Sequence, residues 1–297
     1  MKNDKLLVLG GAQFGSEYGL NKKNIFKKNE IKSILEYAFQ SGFKEFDSAI
    51  NYNLHPSIYL ELQRIGYKIS SKLPYIYEKD HTKLEALILK TVKNYMKINK
   101  IKQIHNFYIH DVRELEDQKK FNKIFQVLLK IKLQKKIRNI SVSTYSLADI
   151  KNVIKFTNPS KPDAIQFPFN YLDRRIDESG LLKKIKTLKI KAYARSIFLQ
   201  GLLLMKNKER SQYFYKFRGI LKKWDSICDF NYEQKIRRCI NFVKNTKNID
   251  GIVVGFDSLS NVKDFVYFFN SKYKFKNLNT FKKNSIELID PRKWKIN

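Results

Sequence analysis

Cysteine, proline, glycine and acidic residues are all scarce in this chain. Two cysteines, Cys228 and Cys239, stand among 297 residues. Two cannot build a disulfide framework, and their spacing is not that of metal ligands, so no metal site is expected. A reducing compartment, the cytoplasm, is the simpler setting. With 6 prolines and 11 glycines, no low-complexity segment or linker splits the chain. No apolar run approaches the roughly 18 residues of a membrane helix. The opening MKNDKLLVLGGAQFG has a short apolar run that leads into Gly and Gln, so a signal peptide is not expected.

Acidic residues number 28 against 59 basic ones, for a net charge of +31. Such an excess invites a nucleic-acid reading. Two features oppose it. Only 11 of the basic residues are Arg, the residue whose fork reads bases and phosphates. The lysines are also spread along the whole chain instead of clustering. A solvated Lys-rich surface is the expected reading, with neither nucleic acid nor membrane as partner. The oligomeric state is left open.

What is present is a regular alternation. Apolar strand candidates lie at Leu6–Leu9, Phe43–Phe46, Tyr67–Ser71, Gln103–Ile109, Ile137–Val142, Ala164–Phe167, Ile190–Ala194 and Ile252–Val254. Amphipathic helices are predicted between them, at Glu30–Gln40, Ser57–Arg64, Thr82–Met96, Leu115–Gln134, Leu147–Lys155, Gly180–Leu188, Tyr232–Asn245 and Leu259–Asn270. Ser258 suits an N-cap for the last of these. Residues Phe198–Asn231 read as a long irregular insertion. Eight strand–helix units predict a single-domain α/β protein, a (β/α)8 TIM barrel over residues 1–297. A doubly wound sheet is the rival. The tail, about 271–297, is expected to pack over the barrel.

In such a barrel, chemistry sits at the C-terminal ends of the strands. Asp47, Lys72 and His110 end three successive strands, and Tyr52 follows five residues after Asp47. Each alone has a bland reading: an exposed loop charge, a structural His, a packed Tyr. Together they suit carbonyl reduction. A hydride arriving at carbon leaves charge on oxygen, so a proton donor and a charge stabiliser are needed there. A free phenol, with a pKa of about 10, is a poor acid at neutral pH. An adjacent ammonium stabilises the phenolate and corrects this. Asp47 would keep that ammonium charged out of water, and His110 would orient the substrate oxygen.

These residues resemble the aldo-keto reductases over nearly the full length. Phe46-Asp47-Ser48-Ala49-Ile50-Asn51-Tyr52 is similar to that family's Asp-Thr-Ala-x-x-Tyr motif. Ser70-Ser71-Lys72-Leu73 and Tyr108-Ile109-His110 are similar to its catalytic Lys and His strand ends. The resemblance implies Tyr52 as general acid, Lys72 and Asp47 as its tuners, and His110 as the orienting residue. It implies NADPH or NADH as cofactor and a small-molecule carbonyl substrate, an aldehyde, ketone or sugar. The basic charge would favour an acidic or sugar-derived one. Ile140-Ser141-Val142-Ser143 and Ile165-Gln166 are also similar, which gives Ser143 and Gln166 the nicotinamide carboxamide. Gly10 and Gly11, in Leu9-Gly10-Gly11-Ala12-Gln13-Phe14-Gly15 with Tyr18-Gly19-Leu20, resemble a bacterial branch. Their spacing is not a Rossmann fingerprint, and they read as room for close approach of cofactor or substrate. Gly255, Ser258 and Asn261 occupy the place where the family binds the adenosine phosphate, at a helix N-terminus suited to an anion.

Departures from the pattern are also informative. Arg195 replaces the aromatic residue that stacks on the nicotinamide; it could lie over the ring or meet an acidic substrate. Asn53 and Thr144 replace a Gly and an Asn. No basic residues stand where the 2′-phosphate of NADP is usually gripped. Other readings of the same chain are a Schiff-base aldolase using Lys72, a non-catalytic cofactor sensor, and a basic nucleic-acid binder.

Overall fold

The computed structural model describes residues 5–15, 26–78, 80–157, 160–273, 281 and 284–296. Its strands are β1 Leu6–Gly10, β2 Phe43–Asp47, β3 Lys68–Leu73, β4 Ile104–Ile109, β5 Ile137–Ser143, β6 Ala164–Pro168, β7 Lys191–Arg195 and β8 Gly251–Val254. They pair in sequence order, and β1 pairs in parallel with β8, which closes the barrel. The expected (β/α)8 architecture is the observed one. Closure excludes the doubly wound sheet.

The helices are α1 Lys28–Gln40, α2 Pro56–Ile65, α3 His81–Ile98, α4 Gln118–Leu133, α5 Leu147–Phe156, α6 Arg175–Glu178, α7 Leu181–Thr187, α8 Arg218–Ile227, α9 Tyr232–Asn245, α10 Leu259–Asn270 and α11 Ile286–Ile289. None among the described residues is long and apolar enough to cross a membrane. Ser258 caps α10 as expected, accepting the backbone N–H of Asn261 at 3.2 Å.

Most boundaries shift by one or two residues, and three larger differences have a visible cause. The helix expected from Leu115 starts at Gln118, because the Asp117 carboxylate accepts the N–H groups of Lys119 and Lys120 and fixes the first turn there. Leu115 belongs instead to a 3-10 turn, Val112–Leu115. The helix expected over Gly180–Leu188 is broken from α6 by Gly180, which sits at φ +75. The insertion expected to be irregular contains α8, whose Leu221 and Trp224 are buried.

Two apolar clusters hold the fold. The large one lies between strands and helices, where outward side chains such as Phe46, Phe107, Ile165 and Ala194 meet the helices. Burying one Phe of this kind stabilises by roughly 1.5–3 kcal/mol. The small one fills the barrel interior with Val8, Tyr108, Ala164, Tyr193 and Val253. Strand side chains alternate between these two surroundings with a period of two. In β3 the alternation sends Lys68, Ser70 and Lys72 one way and Ile69, Ser71 and Leu73 the other. In β7 it groups Tyr193 with Arg195. Ser70, Lys72 and Arg195 are thereby directed into the barrel, while Ser71 meets Tyr95 on the helix side.

The last residues lie against the insertion. Phe281 is fully buried against Tyr171 and Trp224. Tyr213 donates its hydroxyl to the carbonyls of Glu287 and Lys293.

Candidate active site

Register decides which residues meet at the mouth. Gly10 pairs with Asp47, Lys72 with Tyr108, and Ser143 with Gln166. Asp47, Ser143 and Arg195 close their strands, while Lys72 lies one residue inside the end of β3. His110 follows β4, and Tyr52 ends a short 3-10 turn, Ile50–Tyr52, that returns to the mouth after β2. All of these except Tyr108, which lies deeper in the barrel, line one cavity of about 320 Å³.

Lys72 is the centre of the arrangement. Its ammonium donates to Asp47 Oδ2 at 2.6 Å and to the Ser48 carbonyl at 2.8 Å. An ammonium has three donors, so one is left for the cavity. Lys72 lies 5.1 Å from the Tyr52 ring centroid. Both members of the ion pair are buried. Burial opposes the charge on Lys72, and Arg195 adds to that opposition. The attraction of Asp47, then of Tyr52, exceeds both and holds the ammonium above its ordinary value.

His110 behaves in the opposite way. Burial, then the charges of Lys72 and Arg195, push its pKa down to about 3. The imidazole is therefore neutral near pH 7, with one N–H to donate and no proton to give as an acid. Its ring stands edge-on to Tyr52, with centroids 6.5 Å apart.

The cofactor candidates divide. Gly10, Gly11, Ser143, Gln166, Arg195, Gly255 and Asn261 line the cavity; Ser258 does not. Gln166 is buried, its Nε2 donates to Asp47 Oδ2 at 3.4 Å, and its Oε1 has no partner. A buried acceptor of this kind calls for a donor, which a carboxamide NH2 supplies. The cavity also runs past Gly255 to Asn261 in the first turn of α10, where helix N–H groups and dipole suit a phosphate. These residues fit a nicotinamide dinucleotide.

The glycines also allow close packing within the protein. A Cβ on Gly11 would meet the Phe46 ring at 2.5 Å, and one on Gly255 would meet Gln13 at 2.0 Å. A Cβ on Gly15 would lie 2.0 Å from the Tyr52 carbonyl. The room at these glycines is taken up by the protein's own side chains and backbone. Gly15 lets the loop after β1 press on the turn that carries Tyr52. Tyr18, Gly19 and Leu20 lie outside the described residues.

Alternation also reveals a layer that strand-end reasoning missed. Below the mouth, Glu45 Oε1 accepts from Ser70 Oγ at 2.5 Å and Asn106 Nδ2 at 2.6 Å. Burial, then the nearby charge of Asp47, raises the Glu45 carboxyl to about 7 against the opposing Ser70 and Asn106 bonds. His105 lies 3.9 Å from it, but burial and neighbouring cations hold His105 down at about 4, so the pair is not an ion pair at neutral pH. The signal for this layer was present in the polar positions two residues before Asp47 and Lys72.

The fold is similar to that of a solved structure. It is PA4992 of Pseudomonas aeruginosa, provisionally assigned to the aldo-keto reductases, with a TM-score of 0.61 and 13% identity over 89% of this chain and 88% of that one. Among curated proteins, no sequence matches this chain. The model of the Aldo/keto reductase family matches residues 6–285. That span takes in all eight strands and every residue of the mouth, and on it this chain belongs to the aldo/keto reductase family.

Proposed function

We propose that this chain reduces an aldehyde, ketone or sugar carbonyl to the alcohol, with Tyr52 as the proton donor. Family membership supports carbonyl reduction in general terms. The observation that carries the residue assignment is the buried Lys72–Asp47 pair beside Tyr52 in a cavity that His110 also lines.

The proton source follows by elimination among the groups present. His110 is neutral and cannot act as the acid. Lys72 is held charged by Asp47, so its role is electrostatic. Tyr52 remains, with an ammonium placed to stabilise the phenolate left when the proton departs. His110 donates a hydrogen bond to the same substrate oxygen and fixes its position. A Schiff-base aldolase needs a neutral Lys72 amine, which its pairing with Asp47 opposes.

Gln166 and Ser143 would hold the carboxamide of a nicotinamide, and the first turn of α10 its phosphates; when bound, the group supplies the hydride. Past Gly255 the lining includes Asp257, Asn261 and Asp264. Among the described lining residues, the only Lys or Arg are Lys72 and Arg195, both at the catalytic end. Carboxylates accept ribose hydroxyls and repel a 2′-phosphate, which favours NADH over NADPH.

The test is Tyr52→Phe. It is expected to abolish carbonyl reduction while leaving the Kd for reduced cofactor within a few-fold. Turnover that survives within a few-fold of the parent removes Tyr52 as the acid.

A further inference from the structure

Arg195 is a cation at the mouth with no carboxylate within 4 Å among the described residues. Arg64, Arg113, Arg175, Arg210, Arg237 and Arg292 each hold one within 4 Å. Among the described residues Arg195 forms no such pair; Nη2 donates to the Thr144 carbonyl at 3.1 Å and Nη1 to Ser196 Oγ at 3.4 Å. These two bonds leave the other guanidinium N–H groups available. The side chain is also braced. Its guanidinium lies 4.1 Å from the centroid of Tyr145, and Arg292 of the C-terminal segment stacks on the same ring at 3.9 Å. Arg292 is neutralised by two-pronged bonds to Asp290, so one of two cations on that ring has its counter-ion and the one lining the cavity does not.

The charge balance at the catalytic end points the same way. Lys72 and Arg195 are positive, Asp47 is negative and bonded to Lys72, and His110 is neutral. One positive charge is left over, on a fixed fork that matches a carboxylate or phosphate.

We propose that Arg195 binds an anionic group carried by the carbonyl substrate, so that the enzyme acts on oxo-acids or phosphorylated carbonyl compounds. This rests on the reductase reading and adds the substrate class to it. The guanidinium faces the cavity from β7, and the reacting oxygen belongs at Tyr52 and His110. The anion and the carbonyl are therefore held by different strands, which fixes the substrate in one direction.

The experiment uses aldehydic acids with the carboxylate one to four carbons from the carbonyl, each paired with its methyl ester. In the parent protein, at least one acid should exceed its ester in kcat/KM by on the order of tenfold or more, as a charge-assisted bond implies. That ratio should collapse toward one in Arg195→Gln and be partly kept in Arg195→Lys. The same pairs are also titrated calorimetrically with oxidised cofactor present, where no hydride can pass. An acid-over-ester preference in binding that disappears in Arg195→Gln supports the anion site whether or not turnover is seen. An unchanged ratio in Arg195→Gln overturns it, as does a variant that loses cofactor affinity while the ratio stays. A parent protein that binds the acids through Arg195 but reduces none of them overturns the reductase reading alone.

Discussion

Replacing Lys72 with Met separates what the buried ion pair does for the fold from what it does for the reaction. The side chains of Lys72 and Asp47 are 2% and 7% exposed and 2.6 Å apart. Removing the ammonium strands the carboxylate of Asp47, whose remaining side-chain contact is the 3.4 Å bond from Gln166. An uncompensated buried charge of this kind costs about 3–5 kcal/mol. At roughly 2 °C per kcal/mol for a chain of this size, Lys72→Met should melt about 6–10 °C below the parent.

The double variant Lys72→Met/Asp47→Leu removes both charges and leaves an apolar pair of similar volume. It should regain most of the lost stability, because two buried charges rarely outperform two packed side chains. Carbonyl reduction should fail in both, since neither retains an ammonium beside Tyr52. Melting is followed by calorimetry and turnover by oxidation of the reduced cofactor. Equal melting temperatures for the single and double variants would refute the coupling of the two charges. A double variant that turns over within tenfold of the parent would refute the role given to Lys72.

Three further outcomes are expected. Because the His110 pKa is pushed down to about 3, kcat/KM should run flat through pH 6.5; an inflection there that vanishes in His110→Gln would show an ordinary, titrating imidazole. NADH should bind more tightly than NADPH by fluorescence titration, and Asp264→Arg should narrow or reverse the gap; equal affinities in the parent would contradict the acidic lining past Gly255. Glu45 is raised to about 7 from 4.5, so the folded state holds a proton that the unfolded chain releases. Stability from this group is present below pH 4.5 and lost as the pH rises through 7. Glu45→Gln mimics the protonated form; in urea titrations it should be neutral at pH 4.5 and stabilising by up to about 3 kcal/mol at pH 8. A constant difference across that range would mean Glu45 is not shifted.

The barrel was legible because short strand runs alternate with amphipathic helices, and Asp47, Lys72 and His110 stood out at or beside the ends of three successive runs. α8 was not legible, since it grows out of a 3-10 turn and its N-cap, Phe217, makes no side-chain capping bond. The packing at Gly11 and Gly15 was not legible, because a missing Cβ records only that something is close, and sequence does not say whether that is ligand or protein. Counting strands by two would have found more. From Asp47 one step of two reaches Glu45; from Lys72 it reaches Ser70; from Arg195 it reaches Tyr193. Glu45 and Ser70 are bonded to each other through Oε1, and Tyr193 lies in the interior cluster. The upper members carry the net positive charge that faces the cavity, and the lower ones form a polar floor in which Glu45, raised to about 7, is half protonated at neutral pH. A fully ionised Glu45 would set a second negative charge near that of Asp47. The raised pKa of Glu45 relieves that repulsion, and Asp47 keeps its charge for Lys72, 2.6 Å away.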